Sequence, residues 1–273
     1  MKQKIFFIIT ISLFIASTCT IYAQFTPEEI AQQEEIESFL KTAEIVNWKD
    51  IGEGVTKPKK LTLRKGDMEI NGAWKNPKGI QQGYLEGWQY EIAAYKIDNL
   101  LGLHMIPPTV EREFEGKRGS LQYWVKVEMS DLDRMENKIS IPQDKIDQWD
   151  RMKSLQRAFD SLIANDDRTQ QNVLYTSDWR MLLIDHSRSF YCTKEYTERL
   201  VFGKNGIKGQ KLIRQLPRSF VDRIKALNYE TIKKALGPYL NDKEINGILA
   251  RKKLLLKEIE EIIKEKGEEN FLY

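Results

Sequence analysis

The densest polar segment of this sequence is Asn165-Asp166-Asp167-Arg168-Thr169-Gln170-Gln171-Asn172, which directly follows the apolar end of a predicted helix. A short strand, 173–175, is predicted next, and a turn leads to a second strand, 180–184, that ends at Asp185. Because the two strands form an antiparallel hairpin, the residues before the first strand meet the residue after the second. We therefore expect Asp167, Asn172 and Asp185 to lie together at one end of this hairpin.

Side chains of these types at this spacing suit phosphoryl transfer. That reaction needs a carboxylate near the attacking hydroxyl, oxygen ligands for a magnesium ion and a cation on the phosphates, because catalysis is mostly positioning and charge neutralisation. Asp167 can supply the carboxylate, and Asp166 beside it is the alternative. Asn172 and Asp185 can bind Mg²⁺, or Mn²⁺ in its place.

A candidate cation for the phosphates comes earlier in the chain. Lys75 ends a predicted strand, 68–75, and a predicted helix, 86–103, follows it. Glu91 on that helix can hold the lysine ammonium through an ion pair, and Glu86 is the rival for this role. The sequence therefore predicts a lysine–carboxylate pair between a strand and the next helix.

Apolar patterning predicts the elements that must position these residues. The first half is predicted to contain helix 26–45, strands 60–64 and 68–75, helix 86–103 and a hairpin of 109–114 and 120–127. The second half is predicted to contain helices 146–164, 211–227 (broken near Pro217), 229–236 and 242–266, with 251–269 forming a solvated, charged helix face. A β-rich N-terminal lobe with one helix is thus expected to join a helical C-terminal lobe near 126–131.

Length and composition limit the classes of protein that need be considered. The chain has 273 residues with 43 Lys+Arg and 40 Asp+Glu, a formal net charge of +3, which gives no strong field for nucleic acid or lipid headgroups. At 41% hydrophobic residues it can bury a core, so disordered, collagen-like and polytopic membrane classes are excluded. The two histidines are not at metal-ligand spacing, which argues against zinc.

The first 23 residues have the order of a secretory signal peptide. Lys2 and Lys4 precede an apolar run, 5–15, and small and polar residues lead to a predicted cleavage between Ala23 and Gln24. The mature chain would have 250 residues, a net charge of +1 and Cys192 as its one cysteine, so it would contain no intrachain disulfide. This pattern predicts an exported protein, periplasmic or extracellular.

An uncleaved signal anchor is the alternative to cleavage. Residues 5–23 are nearly long enough to span a bilayer of about 30 Å. Lys2 and Lys4 would still hold the N-terminus in the cytoplasm and export the rest of the chain. Membrane association is therefore expected only if the signal remains.

The order of these features resembles the atypical kinases of the phosphatidylinositol 3-/4-kinase superfamily. The features are the lysine strand, the glutamate helix, the motif Asp-Arg-x-x-x-x-Asn at 167–172, and Ile184-Asp185-His186. Type II phosphatidylinositol 4-kinases, HipA-like protein kinases and secretory-pathway kinases are its neighbours. Segments 51–58, 90–95 and 102–110 are similar to uncharacterised bacterial members.

The resemblance implies an α+β, two-lobed protein-kinase-like fold with a nucleotide lobe at 24–127 and a helical catalytic lobe at 128–273. It also implies ATP and Mg²⁺ (or Mn²⁺) as cofactors and a path for the adenine along 120–128. The roles that it implies are Asp167 with Arg168 in catalysis, Asn172 and Asp185 on the metal, and Lys75, Glu91, Gly52 and Gly54 in nucleotide binding.

Two hypotheses of function follow. The first is an exported kinase-like enzyme that transfers the γ-phosphoryl group of ATP to a hydroxyl group of a protein, lipid or sugar. The alternative is a catalytically silent module of the same fold that binds a nucleotide or a protein outside the cytoplasm. The alternative gains weight from the signal peptide, because a bacterial periplasm is expected to hold little ATP.

Overall fold

The computed structural model describes residues 24–52, 57–209 and 213–273. The signal segment, its predicted cleavage point and Gly54 lie outside these ranges. The helices are α1 (Pro27–Ala31), α2 (Gln33–Thr42), α3 (Trp88–Leu101), α4 (Asp131–Glu136), α5 (Ile146–Ile163), α6 (Lys194–Glu198), α7 (Arg218–Ala226), α8 (Tyr229–Leu236), α9 (Asp242–Lys266) and α10 (Glu268–Phe271). The strands are β1 (Glu44–Asp50), β2 (Lys59–Lys65), β3 (Met68–Lys75), β4 (Lys78–Gln81), β5 (Tyr84–Gly87), β6 (Thr109–Phe114), β7 (Lys117–Tyr123), β8 (Met129–Ser130), β9 (Val173–Tyr175) and β10 (Met181–Leu183).

An antiparallel five-stranded sheet in the order β1-β2-β3-β7-β6 forms the N-terminal lobe. Side chains alternate between the two faces of a strand, so Trp74 and Lys75 at the end of β3 point to opposite faces. Trp74 is buried in a core with Leu61 and Leu63 of β2 and Phe39 and Leu40 of α2. This packing leaves Lys75 on the face that looks toward the other lobe.

The predicted helix 26–45 is wrong at its C-terminal end. Helix α2 ends at Thr42, and Ala43 is extended with φ −65° and ψ 150°. Ile45 and Val46 instead lie in β1, an edge strand that the sequence analysis missed, because β-branched side chains pack well on a pleated surface. Gly52 lies in the connection from β1 to β2 with φ +77°, a backbone conformation that favours glycine.

A hairpin of β4 and β5 stands between β3 and α3, where the sequence analysis placed the start of a helix at Glu86. Glu86 lies in β5, and α3 begins two residues later at Trp88. The hairpin is tied to the other lobe because the Gly87 amide donates to the Ser187 carbonyl at 3.0 Å. Helix α3 packs with the large helical core, which includes its residues Tyr90 and Ile97.

The C-terminal lobe is built around α5, whose end is buried among aliphatic and aromatic side chains. Ala164 caps the helix in the left-handed conformation at φ 53°, and the chain then enters the polar segment. Strands β8, β9 and β10 form a small antiparallel sheet beside it. Among the described residues, no helix is both long enough and apolar enough to cross a bilayer.

Two expectations for the C-terminal helices are corrected. Helix α7 begins only at Arg218, because residues 213–217 are not helical and Pro217 precedes the first turn. Arg251 does not belong to a solvated face: its side chain is fully buried and donates to the carbonyl oxygens of three residues, Leu162, Tyr191 and Tyr196. Arg251 therefore lies on the buried side of α9, together with Ile248 and Leu255. Predicted helices 229–236 and 242–266 match α8 and α9.

Candidate active site

Three predicted site residues meet between the lobes. The Lys75 ammonium Nζ lies 2.9 Å from Glu91 Oε1 and 2.8 Å from Asp185 Oδ1. Lys75 comes from the end of β3, Glu91 from the first turn of α3 and Asp185 from the residues after β10. The structure thus joins the sheet, helix α3 and the end of the β9–β10 hairpin at one cation, and Glu91 rather than Glu86 is the partner of the lysine.

Opposing effects set the charges of this cluster. Burial by itself lowers the pKa of Lys75, but the carboxylates of Asp185 and Glu91 outweigh it and hold the pKa above its ordinary value. Burial raises the pKa of Glu91, but the charge of Lys75 and the contacts with His186, including the hydrogen bond from its amide, outweigh that and hold the pKa well below its ordinary range. Both groups are therefore charged at neutral pH.

Asp185 has an unusual backbone, with φ +59° in a residue that has a side chain. Left-handed conformations of this kind are uncommon outside glycine and cluster at functional sites. The side chain is one-third exposed and accepts a hydrogen bond from the Ser187 hydroxyl at 3.3 Å. The left-handed backbone of Asp185 places its carboxylate against Lys75 and leaves part of it exposed to solvent between the lobes.

Arg168 holds the polar segment together from inside the protein. Its Nε and Nη2 form two bonds with the buried carboxylate of Asp160, at 3.1 and 2.9 Å. Its Nη1 donates to the carbonyl oxygens of Asn172 and Ile184, at 2.9 and 2.7 Å. The side chain is only 3% exposed. Arg168 therefore fixes the residues before Val173 and before Asp185 relative to each other.

His186 completes this scaffold as a neutral ring. Its Nε2 lies 2.8 Å from Arg168 Nη2. Because an arginine can only donate, Nε2 accepts and the proton lies on Nδ1, which faces Glu91 Oε2 at 3.7 Å. Burial, with the charge of Arg168, lowers the pKa of this histidine. The amide of His186 also donates to Glu91 Oε2 at 2.9 Å.

The two neighbouring aspartates point to different surroundings. The Asp166 carboxylate accepts from the Tyr196 hydroxyl and lies 3.6 Å from Lys208 Nζ, and it is 9% exposed. The Asp167 carboxylate is 38% exposed and lies 3.4 Å from Arg188 Nη1. Burial is the main cause that raises the pKa of Asp167, and Arg188 opposes it in part. Asp167 is therefore the more accessible of the two carboxylates.

Asn172 lies next to Asp167 rather than across the cleft. Its Nδ2 donates to the Asp167 carbonyl at 3.3 Å, and its own carbonyl accepts from the Ile184 amide at 3.2 Å. The bond between Ile184 and Asn172 continues the β9–β10 pairing as far as the residue before Asp185. The amide Nδ2 is occupied, which leaves the Asn172 side-chain oxygen as the group for a metal.

The oxygen donors at this site fit a hard divalent cation that is completed by other ligands. Carboxylate and amide oxygens are what Mg²⁺ prefers, and it is commonly bound by one or two carboxylates together with substrate phosphates. Asp185 and Asn172 provide such an incomplete set. Within the described ranges no three or more His, Cys, Asp or Glu residues form a metal-binding group on their own.

A cavity of about 570 Å³ lies beside this cluster. Ala73 of β3 and Ile184 line it, two and one residues from Lys75 and Asp185 respectively. The end of β7 and its connection to β8 form much of the cavity wall, through Tyr123 of β7 and Trp124 and Val127 of the connection. Apolar walls with a few polar groups are typical of a site for a small organic molecule, and the predicted adenine path, 120–128, runs along this wall.

Sequence reasoning missed three contributors to the site. Asp160 lies in an apolar stretch of α5, and a carboxylate at such a position is a signal that it has a buried partner. Arg188 contacts Asp167 and lies 2.8 Å from Glu86. Tyr196 holds Asp166. Arg188 and Tyr196 gave no signal in sequence, because neither belongs to a motif.

Comparisons with known proteins support the fold. No protein-family model matches the chain, and no curated protein matches it. Among solved structures, hydra Fam20 with sugar has 16% identity and a TM-score of 0.65, and the match covers 93% of this chain and 95% of that one. The Golgi casein kinase has 15% identity and a TM-score of 0.63 over 92% of this chain and 80% of that one, and its structure is also known with Mn and ADP bound.

A third similar structure is the Helicobacter pylori proinflammatory kinase CtkA. It has 13% identity and a TM-score of 0.51, over 84% of this chain and 97% of that one. Identities this low show the fold alone. The prediction of an α+β, kinase-like fold with a β-rich N-terminal and a helical C-terminal part is confirmed.

Proposed function

We propose that this protein is an ATP-dependent kinase that moves the γ-phosphoryl group of ATP to a hydroxyl group of a protein, lipid or sugar acceptor, with a divalent cation. The observation that carries the proposal is the position of Lys75 Nζ, 2.9 Å from Glu91 and 2.8 Å from Asp185. The kinase-like fold supports it, as does the neighbouring kinase solved with Mn and ADP. The finer assignment to the phosphatidylinositol 3-/4-kinase-like group, the lobe bounds 24–127 and 128–273, and export after cleavage at Ala23 belong to the same proposal.

In this proposal Lys75 keeps Glu91 as its partner and exchanges Asp185 for a phosphate oxygen of ATP. Asp185 and the Asn172 side-chain oxygen then become free to hold the cation. A divalent cation, when bound there, neutralises charge on the phosphates. Gly52, at φ +77°, allows the backbone after β1 to approach the phosphates closely, and Gly54 is assigned to nucleotide binding by the sequence resemblance alone. The cavity beside Ala73 and Ile184 holds the adenine.

Asp167 accepts the proton of the acceptor hydroxyl. Its carboxylate is exposed to the cleft, whereas Asp166 is held by Tyr196 and Lys208. Arg188 keeps a positive charge 3.4 Å from Asp167, which favours the ionised form that a base requires. Arg168 serves this chemistry by fixing the loop, since its side chain bonds to Asp160, to His186 and to the carbonyl groups before Val173 and Asp185.

Two substitutions test the proposal because they should fail in different ways. Asp185→Ala is expected to abolish metal-dependent ATP binding. Asp167→Asn is expected to leave binding nearly intact and to abolish transfer, which is a loss of transition-state stabilisation alone. Asp166→Asn is the matched control and is expected to retain transfer.

Binding is measured by thermal unfolding with ATP and Mg²⁺ or Mn²⁺, where ligand at about 100 times Kd should add about 2.7 kcal/mol of stability. Transfer is measured by the mass shift of autophosphorylation or of added acceptors. Absence of any ATP-dependent stabilisation would contradict the proposal. ATP binding without transfer by the unmodified protein would indicate the silent module, and an active Asp167→Asn protein would move the base to Asp166.

A further inference from the structure

Positions 24 and 25 are held in the body of the protein. Gln24 and Phe25 are each only 6% exposed. The Gln24 backbone nitrogen donates to the Leu103 carbonyl at 3.2 Å, and the Phe25 amide donates to the His104 carbonyl at 3.1 Å. The Gln24 carbonyl accepts from Arg180 Nη1 at 2.8 Å. Position 24 is therefore a fixed part of the fold, and it is also the first residue after the predicted cleavage point.

Gln24 bridges two segments that run side by side. The Leu183 amide donates to the Met105 carbonyl at 2.8 Å. Two residues earlier in both segments, the Gln24 side-chain oxygen Oε1 accepts from the Met181 amide at 3.2 Å, and its backbone nitrogen donates to the Leu103 carbonyl. Evenly spaced bonds are the pattern of a parallel pairing. Gln24 therefore supplies the acceptor and the donor for the next step of this pairing.

The two bridged segments lead to the active site. Leu103 follows helix α3, which carries Glu91, and Met181 begins β10, which leads to Asp185. Both carboxylates contact Lys75. The bonds made at position 24 therefore hold together the elements that bring these two carboxylates to one lysine.

Cleavage after Ala23 would convert the Gln24 nitrogen into an α-amino group. Such a group is mostly protonated at neutral pH. Here the ammonium would occupy a buried position near the guanidinium of Arg180. The nearby carboxylates of Glu29 and Asp178 are half-exposed and contact Arg180, so the arginine and water satisfy their charges. Because burial of a charge is costly, a neutral nitrogen suits this position better.

We propose that Gln24 is a modification site at which the mature N-terminus cyclises to pyroglutamate. The inference rests on the proposed cleavage after Ala23. The α-amino nitrogen attacks the side-chain carbonyl carbon Cδ, and the new N–Cδ bond closes a lactam ring. The Cδ–Nε2 bond breaks, and Nε2 leaves as ammonia with the proton that the amine gives up. The reaction consumes no oxidant and no second reactant.

The lactam keeps the bonds that bridge the two segments. Its nitrogen retains one hydrogen for the Leu103 carbonyl, and its oxygen, the former Oε1, accepts from the Met181 amide. A lactam carries its N–H and C=O on the same edge of the ring, which matches a donor and an acceptor that adjoin in a parallel pairing. The lactam nitrogen is uncharged. Because Gln24 is buried in the folded chain, cyclisation precedes the docking of the terminus.

The intact mass of the exported protein tests the proposal, with the whole sequence expressed in the native host. The mass is measured before any digestion, because peptides that begin with glutamine cyclise during digestion. We expect a chain that begins at position 24 and lacks the mass of one ammonia. A chain that begins at Gln24 with its full mass overturns the proposal and leaves the cleavage and the kinase function untouched. A chain that retains Met1 overturns the proposal together with the cleavage.

Two variants locate the loss of ammonia. Gln24→Asn has a side chain one methylene too short to close this ring, and it should keep its full mass. Gln143→Asn changes an exposed glutamine and should still show the loss. Ammonia loss that persists in Gln24→Asn places the reaction at another residue and overturns the proposal.

Pyroglutamyl peptidase, which removes an N-terminal lactam, tests the docked position. We expect the native protein to resist this enzyme and the N-terminal peptide released by trypsin to be cleaved rapidly. Equal rates for the native protein and the peptide would show that the lactam is exposed, which overturns its place between Leu103 and Met181. None of these measurements depends on whether the protein transfers phosphate.

Discussion

Replacement of Lys75 by methionine should destabilise the protein because it leaves Glu91 buried without a cation. Methionine keeps an unbranched side chain and lacks the ammonium group, so little stability is lost through an empty cavity. The Glu91 side chain is 3% exposed and would retain only the His186 amide as a donor. Breaking a buried ion pair from one side costs about 3–5 kcal/mol. The loss of the Asp185 contact adds little to this destabilisation, because the Asp185 side chain is one-third exposed and water can replace the lysine.

Glu91→Gln is the matched control for this prediction. It leaves Lys75 paired with Asp185 and keeps a side-chain oxygen that accepts from the His186 amide. We therefore expect a smaller loss, about 1–2 kcal/mol, typical of a weakened hydrogen bond. The order of the two variants, Lys75→Met below Glu91→Gln, follows from burial of the acid rather than from the number of contacts.

Glu91 should make the free energy of unfolding of Lys75→Met depend on pH with the opposite sign to its effect in the unmodified protein. In the unmodified protein the pKa of Glu91 is lowered, so its contribution is present above about pH 4.5 and is lost as the pH falls. Without Lys75, burial acts unopposed and raises the pKa of Glu91. The variant should then recover stability as the pH falls, at up to about 1.4 kcal/mol per pH unit.

Urea unfolding followed by circular dichroism, with chelator present and at about pH 7.5 and about pH 5, measures both effects. The deficit of Lys75→Met relative to the unmodified protein should shrink at the lower pH. A deficit below about 1 kcal/mol at the higher pH would refute the reasoning. A deficit that grows on acidification would show that Glu91 is not the group left without a partner.

Three further outcomes are expected. Burial raises the pKa of Asp98 to about 8, so this group should lower the stability as the pH rises from about 4 to about 8; Asp98→Asn should remove that slope in urea unfolding, and parallel curves would contradict it. Burial lowers the pKa of Arg251 to about 9, so the cost of burying its charge opposes the three hydrogen bonds that it donates to carbonyl groups. We expect the hydrogen bonds to outweigh this cost and Arg251→Met to lose about 3 kcal/mol of stability in thermal unfolding. A variant as stable as the unmodified protein would show that the two effects balance. Mass spectrometry of the protein exported by its native host should find Gln24 at the N-terminus, and a chain that retains Met1 in the membrane fraction would indicate the anchor.

Local pattern was sufficient for the elements that carry the proposed chemistry. The bounds of β3 and β9 match the predicted ranges, and α5 ends within one residue of its prediction; α8 and α9, outside the site, match as well. The alternation of a strand and the 3.6-residue period of an amphipathic helix are both visible in a single sequence. Pattern failed where tertiary pairing decides the conformation: β1 exists because β2 offers it a partner, and the β4–β5 hairpin is held by Ser187 from the other lobe.

The sequence by itself determined which residues are available for phosphoryl transfer, because side-chain chemistry and spacing along the chain are properties of the sequence. Only the tertiary structure decided between neighbours of the same type. Glu91 and Glu86 are both buried acids near Lys75 in sequence, yet one meets the lysine and the other meets Arg188. Asp166 and Asp167 differ in the same way, through Tyr196 and Arg188. These partners come from distant parts of the chain, and their distances depend on how the two lobes pack, which no local pattern encodes.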